Sequence, residues 1–121
     1  MSRRSRRTAL VALASAALVA GLAAPTALAY GSGSSQITPG GGCNSGAYYY
    51  RSNPSGGQAV AFTSFNGYCW GNKSAGARAI AGASVGSWQY NWGSVTASRS
   101  NPQSATVYGN HSINGGYPRN T

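Results

Sequence analysis

After residue 29 this sequence contains no leucine, no methionine, no aspartate and no glutamate. Those absences constrain its fold more tightly than any motif it carries. Leu, Met, Glu and Lys are, beside Ala, the residues that lose least freedom in a helix. A chain nearly devoid of them has little from which to build one. The large residues that remain are Tyr, Trp, Val, Ile, Phe and Thr, which suit the half-buried face of a pleated sheet. Gly, Ser and Asn supply 41 of the 92 residues from Tyr30 onward, and residues of these types mark turns. The expected fold is mostly β: a small antiparallel structure, sandwich or barrel-like.

The first 29 residues are of another kind. Arg3, Arg4, Arg6 and Arg7 precede an uncharged stretch from Thr8 to Ala24, followed by Pro25 and Ala27-Leu28-Ala29. Positive charge, apolar run and A-x-A in that order are the features of a secretory signal peptide, with Ala27 and Ala29 as the small residues the peptidase reads. The apolar run falls short of the ~20 residues a membrane span needs, so a cleaved leader is favoured over an anchor. No later segment is apolar enough to span. Ser5-Arg6-Arg7-Thr8 lacks the Phe and Lys of a full twin-arginine pattern, which favours the general secretory route. The expected location is extracellular. The leader also takes with it four of the nine basic side chains, leaving Arg51, Lys73, Arg78, Arg99 and Arg119.

A domain of this size has few aliphatic core candidates: Ile37, Val60, Ile80, Val85, Val95, Val107 and Ile113. Ten Tyr or Trp between residues 48 and 117 compensate, since each can bury ~150–250 Å². Cys43 and Cys69 have only one way to pair. In an oxidising compartment they close a loop of 26 residues, worth ~3 kcal/mol in chain entropy.

Read along the chain, residues 30–42 form a flexible Gly/Ser-rich segment, 43–109 a small β domain and 110–121 a loose tail. Strands are expected at 47–51 and 58–65. Asn66-Gly67 follows, and Asn-Gly between two such runs is a hairpin signal. Residues 75–85 are ambiguous, because their alanines favour helix and their glycines oppose it. Residues 87–95 alternate as a strand, with Trp88, Tyr90 and Trp92 on one face and Gln89 and Asn91 on the other. A last short strand is expected at 105–108.

The missing carboxylates exclude several chemistries. Paired acids for glycoside hydrolysis, oxygen ligands for Ca²⁺ or Mg²⁺, and the acid of a Ser-His-Asp triad cannot be assembled. Gly82-Ala83-Ser84-Val85-Gly86 matches the G-x-S-x-G nucleophile elbow and His111 follows it, but the long α/β scaffold and the acid are both lacking. In a chain this rich in Gly and Ser, chance explains the match. No catalytic residue, metal site or cofactor is expected.

Two functional features remain. Trp88, Tyr90 and Trp92 either supply core in a Leu-free domain or form an exposed platform for sugar rings, with Gln89, Asn91 and Asn72 bonding hydroxyls. Arg51, Lys73, Arg78 and Arg99 either are solvated charges or converge as an anion-binding patch. Five charges are modest for a nucleic-acid binder, and export disfavours that partner. The leading expectation is a secreted, non-enzymatic protein that binds a cell-surface or envelope polymer, in the manner of an antimicrobial bacteriocin. The alternatives are a carbohydrate-binding module using the aromatic strand face, a hydrolase inhibitor and a structural wall or spore component.

Overall fold

The computed structural model describes residues 30–38, 42–71 and 74–121. The expected leader with its Ala27 and Ala29, and Asn72 and Lys73, lie outside these. Two antiparallel sheets pack face to face. The first has the order β1 (Ser32–Ile37), β2 (Gly46–Ser55), β3 (Gln58–Phe65) and β7 (Ser94–Ser100). The second has β9 (Gly116–Asn120), β8 (Val107–Ile113) and β4 (Ala75–Ala81), and the free edge of β4 is shared by β5 (Ser84–Val85) and β6 (Gln89–Asn91). No helix occurs among the described residues.

Alternation along each strand decides which residues fill the interior. In β2, Gly46, Tyr48, Tyr50 and Ser52 are buried, while Ala47, Tyr49 and Arg51 face water. In β3, Ala59, Ala61, Thr63 and Phe65 point inward. The interior has two zones. One is built almost wholly of alanine: Ala59, Ala61, Ala75, Ala77, Ala79, Ala81 and Ala97, with Val95 and Val107. Methyl groups on both facing sheets fill a thin interior, which is how a Leu-free sandwich can close. The other zone holds Ile37, Tyr48, Tyr50, Phe65, Ile113 and the Cys43–Cys69 disulfide.

That disulfide spans a sequence separation of 26, with its Cα atoms 4.0 Å apart. It closes the open mouth of the β2–β3 hairpin, whose turn lies at the far end. Such a bond fits an oxidising compartment. Arginines pin the two open edges of the sandwich. Arg119 on β9 donates through Nε to Ser35 Oγ on β1 (3.3 Å), and Arg99 on β7 donates through Nε to Ser84 Oγ on β5 (2.9 Å).

Several sequence expectations need correction. The composition of 30–42 predicts a flexible segment, yet Ser32–Ile37 forms a full edge strand paired residue by residue from Arg51 to Gly46. Its Ile37, only 3% exposed, anchors it in the core. The expected loose tail at 110–121 completes β8 and forms β9, joined by a tight turn in which Asn114 and Gly115 take positive φ of 49° and 76°. Asn66-Gly67 makes no hairpin. Asn66 instead ties the end of β3 to β2, its N–H donating to Ala47 O (3.2 Å) and its Oδ1 accepting from Ala47 N (2.7 Å). The β2–β3 turn is Gly56-Gly57, both at positive φ.

The ambiguous residues 75–85 are β4, a two-residue turn and β5. The strand expected at 87–95 is broken at Trp92-Gly93, where the chain crosses from one sheet to the other, and the one expected at 105–108 begins at Val107 and runs to Ile113.

Candidate functional site

The outer face of the five-stranded sheet is where candidate side chains meet. Along β4 the alanines at 75, 77, 79 and 81 point inward, so Gly76, Arg78 and Ile80 point out. Register sets Gly76 opposite Tyr90 and Ser112, Arg78 opposite Asn110, and Asn110 opposite Asn120. Tyr90 lies directly on the sheet because Gly76 has no side chain: a Cβ there would stand 2.8 Å from the Tyr90 ring. Trp88, just before β6, is near-parallel to Tyr90, with ring centroids 6.0 Å apart and planes at 16°. The Arg78 guanidinium carbon lies 5.1 Å from the Trp88 ring centroid. Arg78 Nε donates to Asn110 Oδ1 (2.8 Å), and Asn110 Nδ2 donates to Asn120 Oδ1 (2.9 Å). A row of aromatic, guanidinium and two amides thus crosses four strands.

The expected stripe of three aromatics divides. Trp88 and Tyr90 stay on this face. Trp92 turns away where Gly93 takes a φ of 75°, with its N–H held by Asn91 Oδ1 (2.9 Å) and its carbonyl by Ser94 N (2.8 Å). Its ring stacks on Tyr68 at 6.2 Å and 9°, and Tyr68 meets Trp70 edge-on at 5.7 Å. Tyr68 and Trp70 flank the buried Cys69, so both emerge at the surface. None of the three is in the core: Tyr90 is 46% exposed and Trp92 54%, and Trp88 is half-buried. Gln89 and Asn91 are exposed too, but alternation turns them to the opposite face of β6 from Tyr90.

The described arginines do not converge. Arg51 lies on the outer face of the other sheet, over Phe62 at 4.8 Å, with Nη1 donating to Asn53 Oδ1. Arg99 and Arg119 hold the sandwich edges. Only Arg78 sits beside the stacked aromatics. In Tyr48-Tyr49-Tyr50 the outer two are buried and Tyr49 is exposed, as alternation requires.

His111 is fully buried between the sheets. Thr63 gives its hydroxyl hydrogen to Gly76 O (2.8 Å), so its oxygen accepts from His111 Nδ1 (2.8 Å). Nε2 lies 2.8 Å from Thr121 Oγ1, which in turn reaches Ser52 Oγ at 2.8 Å. The Thr121 hydroxyl donates to Ser52 Oγ. Burial lowers the imidazole to about 4, against a weaker opposing effect from the Phe62 backbone. Ser84 of the G-x-S-x-G match is in an exposed hairpin and bonds Arg99; His111 bonds none of it. Among the described residues no three His, Cys, Asp or Glu come together as a metal site, and no helix is long and apolar enough to cross a membrane.

Asn110 and Asn120 become neighbours of Arg78 only through strand pairing, and Tyr68 and Trp70 meet Trp92 only in the fold. The second Asn-Gly pair, Asn114-Gly115, carried the missing signal for the first, because it folds β9 back beside β8. No protein-family model, curated protein or solved structure matches the chain.

Proposed function

We propose that this is a secreted, non-enzymatic protein that binds an extracellular glycan, the polysaccharide of a cell envelope, through the outer face of its five-stranded sheet. The observation that carries the reading is the near-parallel Trp88–Tyr90 pair flanked by Arg78 and Asn110. Aromatic faces offer sugar rings an apolar surface, and fixed polar groups beside them give orientation. The dispersal of the arginines weighs against attraction by net charge alone. The buried His111 and the absence of acidic side chains support a binding role over catalysis.

The test is co-sedimentation of the purified protein with insoluble chitin, cellulose and peptidoglycan across a salt series. Retention that survives high salt is expected on at least one polymer. Trp88→Ala should abolish it with the fold intact, whereas Trp92→Ala, in the other aromatic cluster, should not. Retention that vanishes with salt and ignores Trp88 would point to charge-driven envelope binding instead.

A further inference from the structure

We infer that the sugar polymer recognised by this face is acidic, bearing carboxylate or phosphate oxygens that Arg78 binds; this rests on the glycan reading above. The argument begins with hydrogen-bond direction. A guanidinium can only donate, so Arg78 Nε–H turns Asn110 until its Oδ1 faces it at 2.8 Å. Asn110 then has only its NH₂ to offer the next strand, and it donates to Asn120 Oδ1 at 2.9 Å. Asn120 is exposed, and its own NH₂ is left for a ligand. Each amide oxygen already accepts one hydrogen bond within the row. What the row offers outward is N–H: the Asn120 amide and the Arg78 Nη groups, which bond no described residue.

A surface of donors favours a partner that only accepts. An ionised oxyanion does so, and its hydrogen bonds are shorter and stronger than those of a neutral hydroxyl. The composition adds a second observation: with no Asp or Glu in the chain, no side-chain carboxylate of the protein competes for Arg78. Its guanidinium is also held in advance, with Trp88 against it and Asn110 at Nε. A planar fork so held loses less freedom when it grips two oxygens. Arg51 provides the contrast, since it lies on the opposite outer face with Nη1 already bonded to Asn53.

The experiment uses matched polymers that differ only in charge: polygalacturonate against its fully methyl-esterified form, and dextran phosphate against dextran. Binding is followed by tryptophan fluorescence of the purified protein at low salt. At least one acidic polymer should bind about tenfold more tightly than its neutral partner, and which arm responds identifies the oxyanion. Arg78→Gln should bring that polymer to the neutral level, Arg78→Lys should recover only part of the preference, and Arg51→Gln should leave it intact. Urea midpoints check that each variant is folded. Equal binding of acidic and neutral forms overturns the inference and leaves the glycan reading standing. Equal losses from Arg51→Gln and Arg78→Gln also overturn it, because the preference would then be one of net charge. No binding to any of the four polymers overturns the inference, while the glycan reading stands or falls on the co-sedimentation test.

Discussion

Acidification should destabilise this protein through one side chain. In most proteins acid unfolding is spread over many carboxylates, but this chain has none among its side chains. His111 is fully buried, between Thr63 and Thr121 and with the Tyr50 ring at 5.6 Å, and burial holds its imidazole at about 4. In the unfolded chain a histidine titrates near 6.5. Because the folded value is the lower one, the unfolded chain carries an extra proton between those two pH values. Stability is therefore full above about 6.5, falls as the pH drops toward about 4, and levels off below it. A difference of about 2.5 pH units corresponds to roughly 3 kcal/mol, a large part of the 5–15 kcal/mol typical of a small domain.

Urea unfolding followed by tryptophan fluorescence, in buffers from about pH 7.5 down to about pH 3.5, measures this directly. His111→Gln should be less stable at neutral pH but flat across the window. A wild-type protein equally stable at both ends, or a variant that keeps the slope, would refute the reasoning.

Three other perturbations test the packing. Replacing Cys43 and Cys69 by alanine releases the 26-residue loop and should cost about 3 kcal/mol by chain entropy, read as a lower urea midpoint. Ala77→Leu forces a larger side chain into the all-alanine zone, where Ala77 is fully buried, and should destabilise by about 1–3 kcal/mol; an unchanged thermal midpoint would show that the sheets are not close-packed there. Tyr48 has a buried hydroxyl with no hydrogen-bond partner among the described residues, and burial pushes its phenol well above the usual range. Tyr48→Phe should therefore be neutral or stabilising by up to about 1 kcal/mol, whereas a clear loss in the urea midpoint would reveal a partner for that hydroxyl.

The parts of the fold legible in the sequence were those fixed by local pattern. β3 was readable to its last residue because Gln58–Phe65 lies between the turn-rich Asn53-Pro54-Ser55-Gly56-Gly57 and Asn66-Gly67, and the disulfide was readable because only two cysteines exist. What failed depended on distant partners. Ser32–Ile37 looks like a linker, and only the full register with β2 makes it a strand. The two Asn-Gly pairs are alike in sequence, yet Asn66 is captured by Ala47 while Asn114 takes the turn. Alanines at every second position of β4 read as helix-forming, because their role as thin core appears only when a second alanine-lined sheet faces them. In the site, the aromatic stripe was visible but its division was not, since Gly93 turns Trp92 toward residues that flank a distant cysteine.

The central claim is that the outer face of the five-stranded sheet binds the glycan. Amide chemical-shift mapping of the ¹⁵N-labelled protein, titrated with soluble oligosaccharides of whichever polymer retains it, tests that face most directly. The expected result is a contiguous set of shifts at Arg78, Trp88, Tyr90, Asn110 and Asn120. Shifts centred instead on Tyr68, Trp70 and Trp92, or on Tyr49 and Arg51 of the other sheet, would contradict it.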